Sequence, residues 1–240
     1  LRMPSSKSFA QRAVIAAALA DGVSTLEGYS SCKDTDAAID VARALGATVS
    51  VEGGVVTITG AGNTIKDNGS FFTGESGLLT RLMIPLSAAL YHHPVKIEGY
   101  GTLLLRPLKG AASLMAPFGT VLKPLEVRGK NQDGTIPDPK VPLTVNGPLL
   151  PGKADISGKD GSQLISGLLM ALPLLEEDSV IHVHDPRSIP YMFITLDVLR
   201  RFGIKIGSEM EGDEDFMETQ DWSLCTGVKF IKSLFISRRE

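Results

Sequence analysis

The chain is poor in cysteine. Its 240 residues hold two, Cys32 and Cys225, far apart and in no metal or redox spacing. That usage fits a reducing cytoplasm and weighs against secretion. Charge of one sign is also lacking: 24 Lys and Arg face 27 Asp and Glu, for a net charge of −3. A broad electrostatic footprint for nucleic acid is thereby excluded, while a local cationic pocket for a small anion is not. No apolar run is long. The most apolar stretches, near residues 13–20 and 168–175, are too short to span a bilayer, and no signal peptide is visible. His182 and His184 alternate on a predicted strand without a third ligand, so no metal site is expected. His92-His93 reads as a helix end. These absences point to a cytoplasmic protein without metal, cofactor, membrane or nucleic-acid partner, and most simply a monomer. The chain opens on Leu1-Arg2 and enters its first motif at once, which reads as a trimmed chain or a fragment.

What is present is ordinary in bulk and ordered in detail. With 43% apolar and 21% charged residues, the chain has a globular composition. Its length allows one large or two small domains. One pattern occurs three times. Helices rich in small residues are predicted over residues 8–21, 76–91 and 162–175. Each is followed by a short β-like run, at 24–28, 95–99 and 180–183, and then by a polar loop, at 30–36, 100–106 and 185–188. Second helices follow and end on Ala44-Leu45-Gly46, Pro117-Phe118-Gly119 and Arg201-Phe202-Gly203, with glycine as the expected C-terminal cap. Strand-like runs close each unit: 47–51 with 55–59, 121–127 with 143–145, and 204–206 with 229–236. Segments 129–142 and 207–220 read as loops, the second acidic.

This spacing is too long for a common solenoid. It predicts an α/β domain of three repeated α/β units, with buried helices and outer mixed sheets. The first helix of each unit is apolar nearly all round, as in Ala13-Val14-Ile15-Ala16-Ala17-Ala18-Leu19-Ala20, and so belongs in a core.

The chemistry concentrates at the first helix. Pro4, Ser5 and Ser6 lead into it, and Lys7 and Arg12 sit on its first turns. Free N–H groups and the positive end of the helix dipole favour an anion there. The hydroxyls, ammonium and guanidinium add directed donors. A capped helix with two solvated charges is the plain alternative.

Five pieces in order carry a resemblance: Pro4-Ser5-Ser6-Lys7-Ser8 with Arg12; Thr73-Gly74-Glu75-Ser76-Gly77 with Arg81; Leu105-Arg106-Pro107-Leu108; Gly161-Ser162-Gln163 with Leu168-Leu169-Met170; and Ser188-Ile189-Pro190-Tyr191. Together they resemble the first domain of the 5-enolpyruvylshikimate-3-phosphate synthases, over nearly the whole chain. That family joins phosphoenolpyruvate to shikimate 3-phosphate and releases phosphate, and glyphosate inhibits it. Its fold pairs two similar domains around a cleft.

The resemblance implies roles. Lys7 contacts both substrates and, with Arg106, forms the catalytic clamp. Ser8 and Arg12 hold the shikimate hydroxyls and carboxylate, and Gly77 offers bare backbone to phosphoenolpyruvate. Arg106 binds the carboxylate or phosphate of phosphoenolpyruvate. Ser162 and Ser188 bind the 3-phosphate, Gln163 reaches both ligands, Tyr191 lines the shikimate pocket, and Arg81 braces its helix. It further implies that residues 1–240 are the first, shikimate 3-phosphate-binding domain, that the second domain is absent, and that the chain alone is inactive. Three positions depart from the common family pattern: Gly161 replaces a serine, Glu75 an asparagine and Leu78 a threonine. Two alternatives stand beside this one. In the enolpyruvyl transferases acting on UDP-N-acetylglucosamine, Asn follows the Lys and a reactive Cys lies in a loop near residues 100–106; here Ser8 follows Lys7 and no Cys is near. The other is a non-catalytic binding module with a protein partner.

Overall fold

Three sheets wrap a core of helices in the computed structural model, which describes residues 6–125, 137–211 and 221–226. The first unit runs α1 (Lys7–Leu19), β1 (Val23–Glu27), α2 (Lys33–Leu45), β2 (Thr48–Glu52) and β3 (Val55–Thr59). The second is β4 (Ser70–Phe72), α3 (Gly77–Leu90), β5 (Val95–Glu98), α4 (Ala111–Met115), β6 (Val121–Pro124) and β7 (Leu143–Asn146). The third is β8 (Lys153–Ser157), α5 (Gln163–Ala171), β9 (Ser179–His184), α6 (Ile189–Arg201), β10 (Gly207–Glu211) and β11 (Asp221–Thr226).

The sheet orders are β1-β3-β2, β4-β5-β7-β6 and β8-β9-β11-β10. In the second and third, a strand ahead of the first helix pairs in parallel with the strand after it, placing Phe71 opposite Ile97 and Ala154 opposite Ile181. All other pairings are antiparallel. This is the mixed α/β architecture expected. The first helices are the core: Gln11 to Ala18 of α1, Leu78 to Ala88 of α3 apart from the half-buried Arg81, and Leu164 to Ala171 of α5 are buried.

Small residues let α3 and α5 approach closely. Pro85, inside α3, has no N–H for the carbonyl of Arg81, and Gly167 of α5 packs against that carbonyl. The three helix endings turn as expected, with Gly46, Gly119 and Gly203 at φ 109°, 73° and 84°.

Several expectations are corrected. β4 and β8 were not anticipated: β4 is three residues long, and β8 is polar at both ends. The second helix of unit two is only α4 followed by a 3-10 turn at Ala116–Phe118, because Pro117 breaks the pattern. Residues 207–211, expected in a loop, form β10, since the backbone pairing to β11 outweighs an acidic composition. Residues 204–206 are irregular. The expected strand at 229–236 and most of the loop at 129–142 lie outside the described residues. Among the described residues no helix is long and apolar enough to cross a membrane.

Candidate active site

Polar contacts, most of them buried, link the N-terminal turns of α1, α2, α3, α5 and α6. Ser6 caps α1 by accepting from the Phe9 N–H at 3.3 Å. Ser76 caps α3, accepting from the Leu79 N–H at 3.2 Å. Its hydroxyl donates to Gln11 Oε1 at 2.6 Å, locking α3 to α1. Gln11 is buried, so this bond is shielded from water.

Arg12 ties three helices. Its Nε donates to Thr195 Oγ1 on α6 at 2.7 Å, Nη2 to Ser166 Oγ on α5 at 3.0 Å, and Nη1 to the Ser8 carbonyl at 2.9 Å. The residue is 0% exposed. Burial pulls its pKa down to about 10, against a raising effect of Tyr191, so it stays charged at neutral pH. Its fork is spent on hydroxyls and a carbonyl, and it works as an internal brace.

Lys7 is 61% exposed, with Nζ 3.7 Å from Asp34 Oδ2 on the first turn of α2. Ser8 lies beside it on α1 and is half-buried. This pair fills one side of the site. Gly77 opens α3 on a second side. A Cβ there would stand 3.2 Å from Arg81 Nη1. Arg81 is the brace expected of it: it donates to the Gly77 carbonyl at 3.1 Å and to the Pro107 carbonyl at 3.3 Å. Its pKa is lowered by burial and then by the nearby Arg106.

Arg106 follows a 3-10 turn, Gly101–Leu105. It is exposed, and its Nη2 donates to Thr102 Oγ1 at 2.7 Å. The third side belongs to unit three. Ser162 caps α5 in position only, with no side-chain cap bond, and is 2% exposed. Gln163 is exposed on the first turn. Ser188 precedes α6 in the left-handed region, φ 59° and ψ 37°, a strained geometry for a non-glycine. Tyr191 is 46% exposed. The loops carrying Ser162 and Ser188 are stitched by Gly158 N–H to the His184 carbonyl (2.7 Å) and Arg187 N–H to the Gly158 carbonyl (3.2 Å).

The arrangement is suited to a small polyanion. It combines helix N-termini, one exposed ammonium, one exposed guanidinium and serine hydroxyls. Among the described residues no group of three His, Cys, Asp or Glu could hold a metal. Asp34, Thr102, Ser166 and Thr195 escaped sequence reasoning. A carboxylate on the first turn of α2 is a readable signal for Asp34. The three hydroxyl residues carry no local signal for the contacts to Glu75 and Arg12, which are distant in sequence.

Known proteins share both sequence and architecture. The family model described as EPSP synthase (3-phosphoshikimate 1-carboxyvinyltransferase) matches residues 1–218. A 3-phosphoshikimate 1-carboxyvinyltransferase of Clostridium kluyveri is 32% identical over 205 residues, 85% of this chain and 45% of that protein. One from Methanothermobacter thermautotrophicus is 33% identical over 207 residues, 86% of this chain and 46% of its own. The chain thus spans about half the length of the curated relatives it matches. Among solved structures, the EPSP synthase of Acinetobacter baumannii has a TM-score of 0.69 at 22% identity, covering 95% of this chain and 47% of that one. The enolpyruvyl transferase NikO of Streptomyces tendae has a TM-score of 0.56 at 17% identity, covering 92% and 47%. These two likenesses speak for the fold.

Proposed function

We propose, from the premise that the chain belongs to the EPSP synthase family, that it carries the shikimate 3-phosphate half of an active site that transfers the enolpyruvyl group. The observation that carries this reading is the polar network linking the N-terminal turns of α1, α2, α3, α5 and α6, with Lys7, Ser162, Gln163 and Ser188 at those helix starts and Arg106 near Arg81 of α3.

In this reading Ser162 and Ser188 receive the 3-phosphate. The strained backbone of Ser188, at the start of α6, supports a role in binding. Lys7 lies between the two substrates, Ser8 and Tyr191 border the ring, and Gln163 reaches both ligands. Gly77 and Arg106 receive phosphoenolpyruvate. Arg12 holds the floor of the pocket, and would reach a carboxylate only by releasing one of its present acceptors.

The reaction protonates the methylene carbon of phosphoenolpyruvate and adds the 5-hydroxyl of shikimate 3-phosphate at C2. The tetrahedral intermediate then loses phosphate. The cationic groups on this chain stabilise the anions and orient them. The acid and base that move the protons belong to a second domain of the same two-domain enzyme. A polypeptide of these 240 residues, produced alone, is therefore expected to bind shikimate 3-phosphate weakly and to show no turnover. Turnover by that polypeptide alone would contradict the division of labour.

Calorimetric titrations with shikimate 3-phosphate and with UDP-N-acetylglucosamine test the substrate class. Binding of the first alone is expected. Preference for the nucleotide sugar, or binding of neither by a folded sample, counts against the reading. Lys7→Met keeps the side chain's bulk but removes its charge, and should weaken shikimate 3-phosphate by about tenfold, the worth of one charged hydrogen bond. An unchanged affinity would remove Lys7 from the site.

A further inference from the structure

Arg106 has two reasons to wander. It is a long exposed side chain, with much rotamer freedom to lose on binding. It also lies close enough to Arg81 to depress the pKa of that group, so like-charge repulsion pushes it outward. Yet one fixed acceptor, Thr102 Oγ1, holds its Nη2 at 2.7 Å.

That acceptor has a polarity imposed from elsewhere. Glu75 Oε1 lies 2.7 Å from Thr102 Oγ1 and accepts the Thr102 N–H at 2.8 Å. These two bonds keep the Glu75 carboxyl below the usual carboxylate range, aided by Lys33 and Arg106. A carboxylate has no proton to give. The single hydroxyl proton of Thr102 must therefore point to Glu75, which leaves the oxygen lone pair for Arg106. The backbone is shaped to allow this. Gly101 has φ 63°, and a Cβ there would fall 2.7 Å from Glu75 Oε1.

We infer that Glu75 is a positioning residue: through Thr102 it orders the Arg106 guanidinium for an incoming anion before that anion arrives. The inference rests on the reading of Arg106 as a phosphoenolpyruvate ligand. It also gives a purpose to an acidic residue beside an anion site, where simple electrostatics would exclude one.

Charge and position can be separated by substitution. Glu75→Gln and Glu75→Ala both remove the negative charge, but only glutamine keeps an oxygen that can accept from Thr102. Thr102→Val removes the hydroxyl without changing charge, and Thr102→Ser restores it. The polypeptide of residues 1–240 is labelled with nitrogen-15. The heteronuclear NOE of the Arg106 Nε–H is read without ligand, and phosphoenolpyruvate is then titrated.

An ordered Arg106 is expected in the native chain, in Glu75→Gln and in Thr102→Ser. In Glu75→Ala and Thr102→Val it should fall to the value of a free surface arginine. Affinity for phosphoenolpyruvate should fall with it: Glu75→Ala should bind about tenfold more weakly than Glu75→Gln, and Thr102→Val about tenfold more weakly than Thr102→Ser. An Arg106 signal unchanged in Thr102→Val and Glu75→Ala overturns the inference, whatever the affinities do. If Arg106 loosens as expected but the native chain ignores phosphoenolpyruvate, the ordering by Glu75 stands and the reading of Arg106 as its ligand fails.

Discussion

Arg12→Ala is expected to lower the stability of the domain by roughly 2–4 kcal/mol, an effect of burial, shape and lost donors together. The guanidinium is completely enclosed where α1, α5 and α6 meet. Alanine would leave a cavity, and would strip Ser166, Thr195 and the Ser8 carbonyl of a charged donor. Part of that loss is offset, because burying the cation is itself costly: its folded-state pKa of about 10 lies below the ordinary guanidinium range. The sign follows directly. The folded state holds this proton less tightly than the unfolded chain, so the cost is fully present at neutral pH. It is relieved only as pH rises past about 10.

Arg12→Met separates the two contributions. Methionine refills much of the volume without a charge, and Ser166 and Thr195 remain within 2.9 Å of each other. Its loss should therefore be well under half that of alanine. Thermal unfolding reads both, at roughly 2–4 °C per kcal/mol for a domain of this size. An alanine variant that melts with the native chain would show that the brace carries no stability.

Gly167→Ala should be severely damaging, costing roughly 3 kcal/mol or preventing folding. Propensity alone argues the reverse, since alanine is favoured over glycine inside a helix by about 1 kcal/mol. Packing decides. A Cβ on Gly167 would stand 2.5 Å from the Arg81 carbonyl oxygen, 2.7 Å from Pro85 Cγ and 3.2 Å from Leu82 Cα. Two of these atoms are backbone and the third is a proline ring, so relief requires α3 and α5 to separate. That would also shift Arg81 and the start of α3 at the site. Gly69 is the control. Its Cβ would meet nothing within 4 Å, and Gly69→Ala should stay within about 0.5 kcal/mol of native. Urea midpoints of the two variants give the comparison; similar midpoints would mean that the α3–α5 contact yields easily.

Local signals made the repeat legible. The glycine endings at 46, 119 and 203 are stereochemical requirements of a left-handed cap, and the Ala- and Leu-rich helices could only be core. β4 was hidden because Ser70-Phe71-Phe72 is too short to show a period, and its partner strand is the one beyond the next helix. β10 was hidden because its glutamates read as loop. The site was legible as a set of motifs but not as a set of roles. Nothing near Arg12 in sequence announces that its partners are Ser166 and Thr195, 154 and 183 residues away. The same holds for Glu75, whose meaning depends on a hydroxyl 27 residues on. Motifs name the residues that meet; only the packing says which of them face a ligand and which hold the others.

The central claim is that one end of this domain binds shikimate 3-phosphate through helix N-termini and the side chains between them. Its most direct test follows backbone amide shifts of the isotope-labelled chain, as shikimate 3-phosphate is added up to roughly millimolar concentration, the range of a half site. Shifts concentrated at Lys7, Ser8, Ser162, Gln163, Ser188 and Tyr191, with the sheets silent, are the expected result. A folded sample whose shifts scatter over the surface, or do not move, would contradict the claim.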